Sequence, residues 1–402
     1  MKIAITCPAS LPATQFGGIM FLGVHMAKKL SNDNHQVTIY TTDLDFANNT
    51  STFNKKLLRQ EKIENFVIKR SHVWFSLYLF FVNFGMYKQL KNDDNDIIHT
   101  IGVRSFQSLI ATIVSKRKKI PLIVSDQGGL TTHPDQKFGS IKKKIFIKLQ
   151  QPLLKFVINQ ASQIIVANEY EKKIFLNFCD SSKISIVKNG IDLIEVNSSK
   201  VNFKEKYGID NEFILFLGRF HEVKGIDTLL EAINELKNNS LLKDIKLVIM
   251  GVDFGYESKM EALIKKLELS NIIKIIKRPP REDVISAYRQ CMFLVLPSRW
   301  ELSPLTPLEG FAHKKTTIST TAHGIPSTIT HNENSILIPP SDPKKLASSI
   351  LDLLKNPEKA RKLGESGYEM VKEFANSEKM VEQILKIYYK ISLLYLYYPD
   401  KA

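Results

Sequence analysis

A chain of 402 residues is long enough for about two or three domains, and 44% hydrophobic with 24% charged residues is ordinary for a globular protein. The unusual feature is a formal net charge of +15, which favours anionic partners: phosphates, nucleotides, nucleic acid or an acidic membrane face. Three scattered cysteines (Cys7, Cys179 and Cys291) fit neither a disulfide framework nor a zinc site and point to a reducing compartment.

The opening MKIAITCP reads as a first strand, Lys2 to Thr6, rather than a secretory leader, and no apolar run reaches the ~18 residues of a membrane span. A cytoplasmic protein is expected. Gly17 and Gly18 precede the helical pattern IMFLGVHMAKKL, and Val37 to Thr41 is the next strand. Strand, glycine loop, helix and strand make a βαβ unit whose paired glycines let backbone approach an anion. GxGxxG is absent, so a dinucleotide site of the dehydrogenase kind is not supported. His25, in mid-helix, reads as a packed or exposed side chain rather than a catalytic one.

Residues 73–87, VWFSLYLFFVNFGMY, read as a core helix, with a helix lying on a membrane surface as the sharper alternative. Strands follow at Ile97 to Thr100 and Leu122 to Ser125. The second leads into DQGGLTTHPDQ, at the strand end where open α/β sheets bind ligands, so Asp126 and His133 are candidate site residues or plain loop residues. The basic segment Lys137 to Lys155 is a solvated helix face or, through Lys142, Lys143, Lys144 and Lys148, a surface for anionic lipid. A strand at Ile164 to Ala167 runs into Asn168 and Glu171, spaced as a helix-capping pair. The strand Ile184 to Val187 ends the first series at KNGID.

Residues 195–210 lack periodicity and read as a linker. A second alternating series follows, with strands at Phe213 to Leu217, Lys246 to Met250, Ile272 to Ile276, Thr316 to Ser319 and Ser335 to Ile338. Its central stretch is LVLPSRWELSPLTPLEGFAHKKTTISTTAHGIP, Leu294 to Pro326. A short strand closes at proline, Pro304 and Pro307 open a helix, Glu301 lies on the loop and Glu309 about a turn inside. Unpaired amides at such a helix start can hold phosphate, and the acids can meet neutral hydroxyls; the plainer reading is two acids complementing a helix dipole. Gly218-Arg219, with Lys224-Gly225 five residues later, puts two cations on one glycine-flanked loop, which suits a diphosphate. The last helix spans Ser377 to Tyr398 and ends in ISLLYLYY, which either packs back on the first domain or touches membrane.

GRFHEVKG, PSRWELSPLTPLE and HGIP, in this order and spacing, with KNGID and the early Gly17-Gly18, resemble the family-4 retaining glycosyltransferases of GT-B fold over nearly the whole chain. The resemblance implies two Rossmann-like domains facing a cleft: residues 1–195 on the acceptor side, 196–375 binding a nucleotide sugar, and 376–402 crossing back. It implies that Arg219 and Lys224 hold the diphosphate of a UDP- or GDP-sugar without a metal or other cofactor, and that Glu301 contacts the sugar. Glu309 would bind ribose hydroxyls. Ser303, the amides of Leu305 and Thr306, and Gly17 and Gly18 would complete donor binding, with Asp126 or His133 on the acceptor side.

The expected reaction is transfer of a hexose, with retention, to a hydroxyl of a glycan or lipid-linked acceptor. An epimerase of the same fold and a non-catalytic nucleotide-binding member are the alternatives. Pro304, Ser327 and Ser335 depart from the family pattern but leave the Arg–Lys pair intact. Nucleic acid is not an expected partner, because no helix-turn-helix or RNA-module signature is present and the lysines alternate with aliphatic residues. The acceptor and the positive charge allow a peripheral position on an anionic membrane.

Overall fold

The computed structural model describes residues 1–45, 52–126, 130 and 140–397. The chain forms two compact units: one runs to Gly190 and takes in the chain from Ser377 onward, the other is Ile191–Asn376. In the first unit the strands are β1 Lys2–Thr6, β2 Gln36–Thr42, β3 Gln60–Ile63, β4 Phe66–Ser71, β5 Phe75–Leu77, β6 Phe80–Val82, β7 Ile97–Ile101, β8 Leu122–Ser125, β9 Gln163–Val166 and β10 Ile184–Ile186. Eight of them make one sheet in the order β10-β9-β8-β7-β1-β2-β4-β3. All neighbours are parallel except the edge pair β3 and β4. Helices cover both faces, which is why β7 and β8 are buried at every position, His99, Thr100 and Ser125 included.

Alternation along β1 divides the core. Ala4 faces the helices Phe106–Lys118 and Gln151–Gln160, while Ile3 and Ile5 face the helices Gly18–Asn32 and Ser377–Tyr397. The terminal helix docks through Met380, Ile384, Tyr388 and Ile391, a stripe at helical spacing whose side chains each contribute about 1.5–3 kcal/mol by burial. Tyr388 also places its hydroxyl 2.6 Å from Nδ1 of the buried His99, whose Nε2 lies 2.7 Å from Ser125 Oγ. Burial lowers the His99 pKa to about 3, so the imidazole stays neutral in this network.

The stretch 73–87 is not a helix. Phe75–Leu77 and Phe80–Val82 pair as an antiparallel hairpin, turning at Tyr78 with φ of 54°, before a helix begins at Gly85. Aromatic content favoured the strand over the helix, and a buried polar latch holds it: Asn83 Nδ2 donates to Ser71 Oγ at 2.8 Å and Asn83 Oδ1 accepts from Gln107 at 2.8 Å. Strands β3 and β4, absent from the sequence reading, extend the sheet beyond β2.

The second unit has β11 Glu212–Leu217, β12 Ile245–Gly251, β13 Ile273–Lys277, β14 Leu294–Leu296, β15 Thr317–Thr320 and β16 Ser335–Ile338. They pair in parallel in the order β13-β12-β11-β14-β15-β16. The chain builds outward from β11 to β13, then returns to lay β14 on the other side of β11. Loops leaving β11 and β14 therefore diverge, and the crevice between them is where open α/β sheets take ligands. The expected linker at 195–210 is instead part of this unit's core. Phe203 and Ile209 are buried against Phe213 and Tyr288, and Lys206 and Tyr207 both donate to the buried Asp283 carboxylate, at 2.7 and 2.5 Å.

Asn168 and Glu171 do cap their helix. Asn168 Oδ1 accepts from the Glu171 amide at 3.0 Å, and Glu171 Oε2 accepts from the Ala167 amide at 2.7 Å. Burial raises the Glu171 pKa from 4.5 to about 8. The folded state then holds this proton more tightly than the unfolded chain, so the group lowers stability progressively as pH rises from about 4.5 to about 8. Glu171→Gln should flatten that fall: its Tm relative to wild type rises between pH 5 and pH 8, as followed by thermal unfolding across the series.

Candidate functional site

The switch between β11 and β14 is built by backbone that only glycine permits. Gly225 has φ of 66°, and a Cβ there would lie 2.1 Å from the carbonyl oxygen of Pro297, at the end of β14. At Gly251, the end of β12, a Cβ would lie 1.9 Å from Gly218 O, and at Gly324 it would lie 1.8 Å from Leu302 O. Three pairs of segments at the strand ends thus approach to backbone distance. Arg299 staples the first of these pairs. Its amide donates to Val223 O at 2.7 Å, Nη1 donates to Glu222 O at 2.9 Å, and Nη2 donates to Asp227 Oδ2 at 2.8 Å.

Inside this frame Lys224 Nζ donates directly to Glu301 Oε1, an ion pair whose side chains are each 12% exposed. Ser298 Oγ donates to the same oxygen at 3.0 Å, and Gly324 N donates to Glu301 O at 3.0 Å. Arg219 leaves the end of β11 with its guanidinium 5.1 Å from the centroid of the Phe254 ring. Two cations and one carboxylate therefore stand at the carboxyl ends of adjacent strands.

Pro304 is the N-cap of the helix Leu305–Ala312, which has no side-chain cap, and the amides of Leu305 and Thr306 belong to its first turn. Ser303 lies on the loop before it, half-buried. Glu309, one turn inside, is 14% exposed at its side chain. Its Oε1 is 2.7 Å from Arg281 Nη2, and its Oε2 accepts from Tyr288 OH at 2.7 Å. Glu195 makes a two-pronged pair with the same arginine, at 3.0 and 2.9 Å. Burial opposes the Arg281 charge, but the two carboxylates outweigh it and hold its pKa above the ordinary guanidinium value. Tyr288 is pushed well above its ordinary pKa by burial and by Glu309, so it stays a donor, and its ring stacks on His313 at 5.3 Å. Each Glu309 oxygen keeps acceptor capacity beyond these bonds.

The candidate residues thus fall into two groups. Arg219, Lys224, Glu301, Ser303, Leu305, Thr306 and Glu309 lie on the segments that follow β11 and β14 in the second unit, with Lys224 and Glu301 in direct contact. Gly17, Gly18 and Asp126 belong to the first unit. Gly17 caps the helix Gly18–Asn32 at φ of 92°, and among the described residues nothing lies within 4 Å of where its Cβ would be. Asp126, buried at the end of β8, accepts from the Leu130 amide at 3.1 Å. His133 lies outside the described residues. Sequence reading missed Arg281 and Tyr288, which bind Glu309, and Glu195, which braces Arg281, all from segments distant in the chain. Arg299 and Ser298 lay within the PSRWE motif and were legible as part of it.

Two doubly wound parallel α/β sheets, with a terminal helix that returns to the first, define the GT-B class. Residues 199–370 match the family model of glycosyl transferases group 1, and residues 16–195 match that of glycosyltransferase family 4. The chain belongs to this family and is a glycosyltransferase. It is 28% identical to an uncharacterized glycosyltransferase of Methanocaldococcus jannaschii, over 75% of this chain and 78% of that one. It is 26% identical to the UDP-Gal:alpha-D-GlcNAc-diphosphoundecaprenol alpha-1,3-galactosyltransferase of Escherichia coli, over 56% of this chain and 57% of that one. The crystal structure of Anabaena HepE in complex with UDP and glucose has the same fold, with a TM-score of 0.74 at 17% identity over 96% of this chain and 99% of that one.

Because Gly225 combines a left-handed backbone with contact to Pro297, Gly225→Ala should lower stability by about 2 kcal/mol or more. Chemical denaturation would read this as a lower midpoint at unchanged slope.

Proposed function

We propose that this glycosyltransferase moves a hexose, with retention of configuration, from a UDP- or GDP-sugar to a hydroxyl of a glycan or lipid-linked acceptor, without a metal ion. The observation that carries the reading is the Lys224–Glu301 ion pair across the β11–β14 switch point, with Arg219 on the same loop as Lys224 and the helix Leu305–Ala312 starting on the segment that carries Glu301. Cations, a carboxylate and a helix start on the loops of adjacent strands match a ligand that is diphosphate at one end and sugar at the other. The UDP and glucose of HepE, and the UDP-galactose and diphosphoundecaprenol named for the Escherichia coli relative, support these ligand classes.

An arriving diphosphate competes with Glu301 for the Lys224 ammonium. Glu301, released in part from that pair, can accept from sugar hydroxyls, while Glu309, oriented by Arg281 and Tyr288, accepts from the ribose. As the bond from anomeric carbon to phosphate oxygen lengthens, negative charge grows on the departing diphosphate. Arg219 and Lys224 bind that charge more strongly than the ground state, which lowers the barrier. The acceptor hydroxyl attacks from the face the phosphate leaves, and its proton passes to the departing phosphate oxygen. No enzyme nucleophile is required by this route, and the two glutamates serve different parts of the donor. On the acceptor side Asp126 is the candidate group in the first unit. Work at the cytoplasmic face of a membrane fits a lipid-linked acceptor.

The test is nucleoside diphosphate release from a panel of UDP- and GDP-sugars, with and without candidate acceptors. Arg219→Ala and Lys224→Ala should each lower kcat by roughly 10²–10³. Glu309→Gln should raise the donor KM more than it lowers kcat, because it weakens binding away from the reacting bond. Undiminished kcat in both cation variants would remove the mechanism, and turnover indifferent to any acceptor would favour an epimerase.

A further inference from the structure

We propose that the β5–β6 hairpin and the helix Ile141–Leu149 of the first unit form one docking surface for an anionic lipid bilayer. The hairpin leaves large apolar side chains in water: Trp74 is 73% exposed and Phe75 59%, and Leu77, Tyr78 and Leu79 are exposed beside them. Its opposite side is anchored, with Phe81 and Val82 fully buried. These aromatic residues therefore project from a fixed base.

The helix Ile141–Leu149 continues the surface. At 100° per residue, Ile141, Ile145 and Leu149 fall within an arc of about 80°. All three are exposed, Ile141 by 76% and Leu149 by 73%, and no residue of this helix is fully buried. Lys144 and Lys148 flank that stripe on one side and Lys142 on the other. The helix packs on the hairpin by a different face: Phe146 lies 5.5 Å from the Tyr78 ring and 6.1 Å from Phe80, and Lys143 sits 5.4 Å over Tyr78. Of the four lysines singled out in the sequence, Lys143 thus turns toward the hairpin and three border the apolar stripe.

Charge selects the occupant. Between Glu64 and Asp93, and again between Asp135 and Glu169, the chain has no Asp or Glu, so both segments carry only positive charge. An apolar stripe bordered by lysines, with tryptophan and tyrosine beside it, matches the interface of a bilayer, where acyl chains lie below phosphate headgroups. A second copy of this chain would bring like charge against like charge across the same face. Among the described residues no helix is long and apolar enough to cross a membrane, so attachment by this face would be peripheral. The inference rests on the surface of the first unit alone, and its test needs neither donor nor turnover.

The chain has two tryptophans, and Trp300 is buried, so Trp74 reports on the surface. The full-length protein is mixed with vesicles of phosphatidylcholine alone or of equal parts phosphatidylcholine and phosphatidylglycerol. Binding is expected only to the anionic vesicles, with Trp74 emission moving to shorter wavelength and quenched by lipids brominated in their acyl chains. Lys142→Gln, Lys144→Gln and Lys148→Gln should weaken partitioning roughly fivefold per charge removed. Trp74→Ser with Leu79→Ser should weaken it while all charges remain, and because both residues are exposed the fold should persist by circular dichroism. Absence of vesicle binding would overturn the proposal. So would binding that leaves Trp74 emission unchanged and vanishes in salt, or a concentration-dependent dimer dispersed by the same serine substitutions.

Discussion

The ion pair between Lys224 and Glu301 is the contact on which the second unit's site depends. It joins the loop leaving β11 to the loop leaving β14, across the place where strand order reverses. A largely desolvated pair of this kind contributes little net stability, because loss of hydration offsets most of the attraction. Its effect is positional. Each charge keeps the other from solvent and fixed in direction, so a ligand bearing phosphate and hydroxyls finds both partners already aimed. The frame around the pair comes from steric limits: Gly225, Gly251 and Gly324 each let a neighbouring segment approach to a distance that any side chain would forbid. Arg299 then ties the loops together through backbone oxygens and Asp227.

The two glutamates of the central stretch differ because their partners differ. Glu301 is held by a flexible ammonium, which in the proposed mechanism a diphosphate takes over. Glu309 is held by the guanidinium of Arg281, itself gripped by Glu195, and by a tyrosine hydroxyl that burial keeps protonated. In the proposed mechanism one carboxylate changes partners during the catalytic cycle and the other is a fixed acceptor. The same sheet architecture in the first unit carries a different emphasis. Its sheet is sealed by the terminal helix through Met380, Ile384 and Tyr388, while its hairpin and the helix Ile141–Leu149 leave apolar and cationic groups in water.

Much of this was legible because parallel strands buried on both faces are short apolar runs, and because the cation and carboxylate motifs follow their strands directly. Strands β8, β11 and β12 are mostly of that kind. The hairpin at 75–82 was not legible, since a long aromatic run has no period that distinguishes strand from helix, and its packing is set by Asn83, Ser71 and Gln107 from three segments. Residues 195–210 looked like a linker because Phe203 and Ile209 are isolated apolar positions among polar ones, yet tertiary packing buries both. Arg281 and Tyr288 were missed for a similar reason: nothing in their local spacing marks them as supports of Glu309, which lies on another helix.

The most direct test of a nucleotide-sugar site at the β11–β14 switch point is titration calorimetry of UDP and GDP onto the wild-type protein and onto Arg219→Ala. Micromolar binding of one nucleotide, weakened by at least about tenfold in the variant, is the predicted result. Absence of binding by a folded wild-type protein, or equal affinity in the variant, would contradict the account.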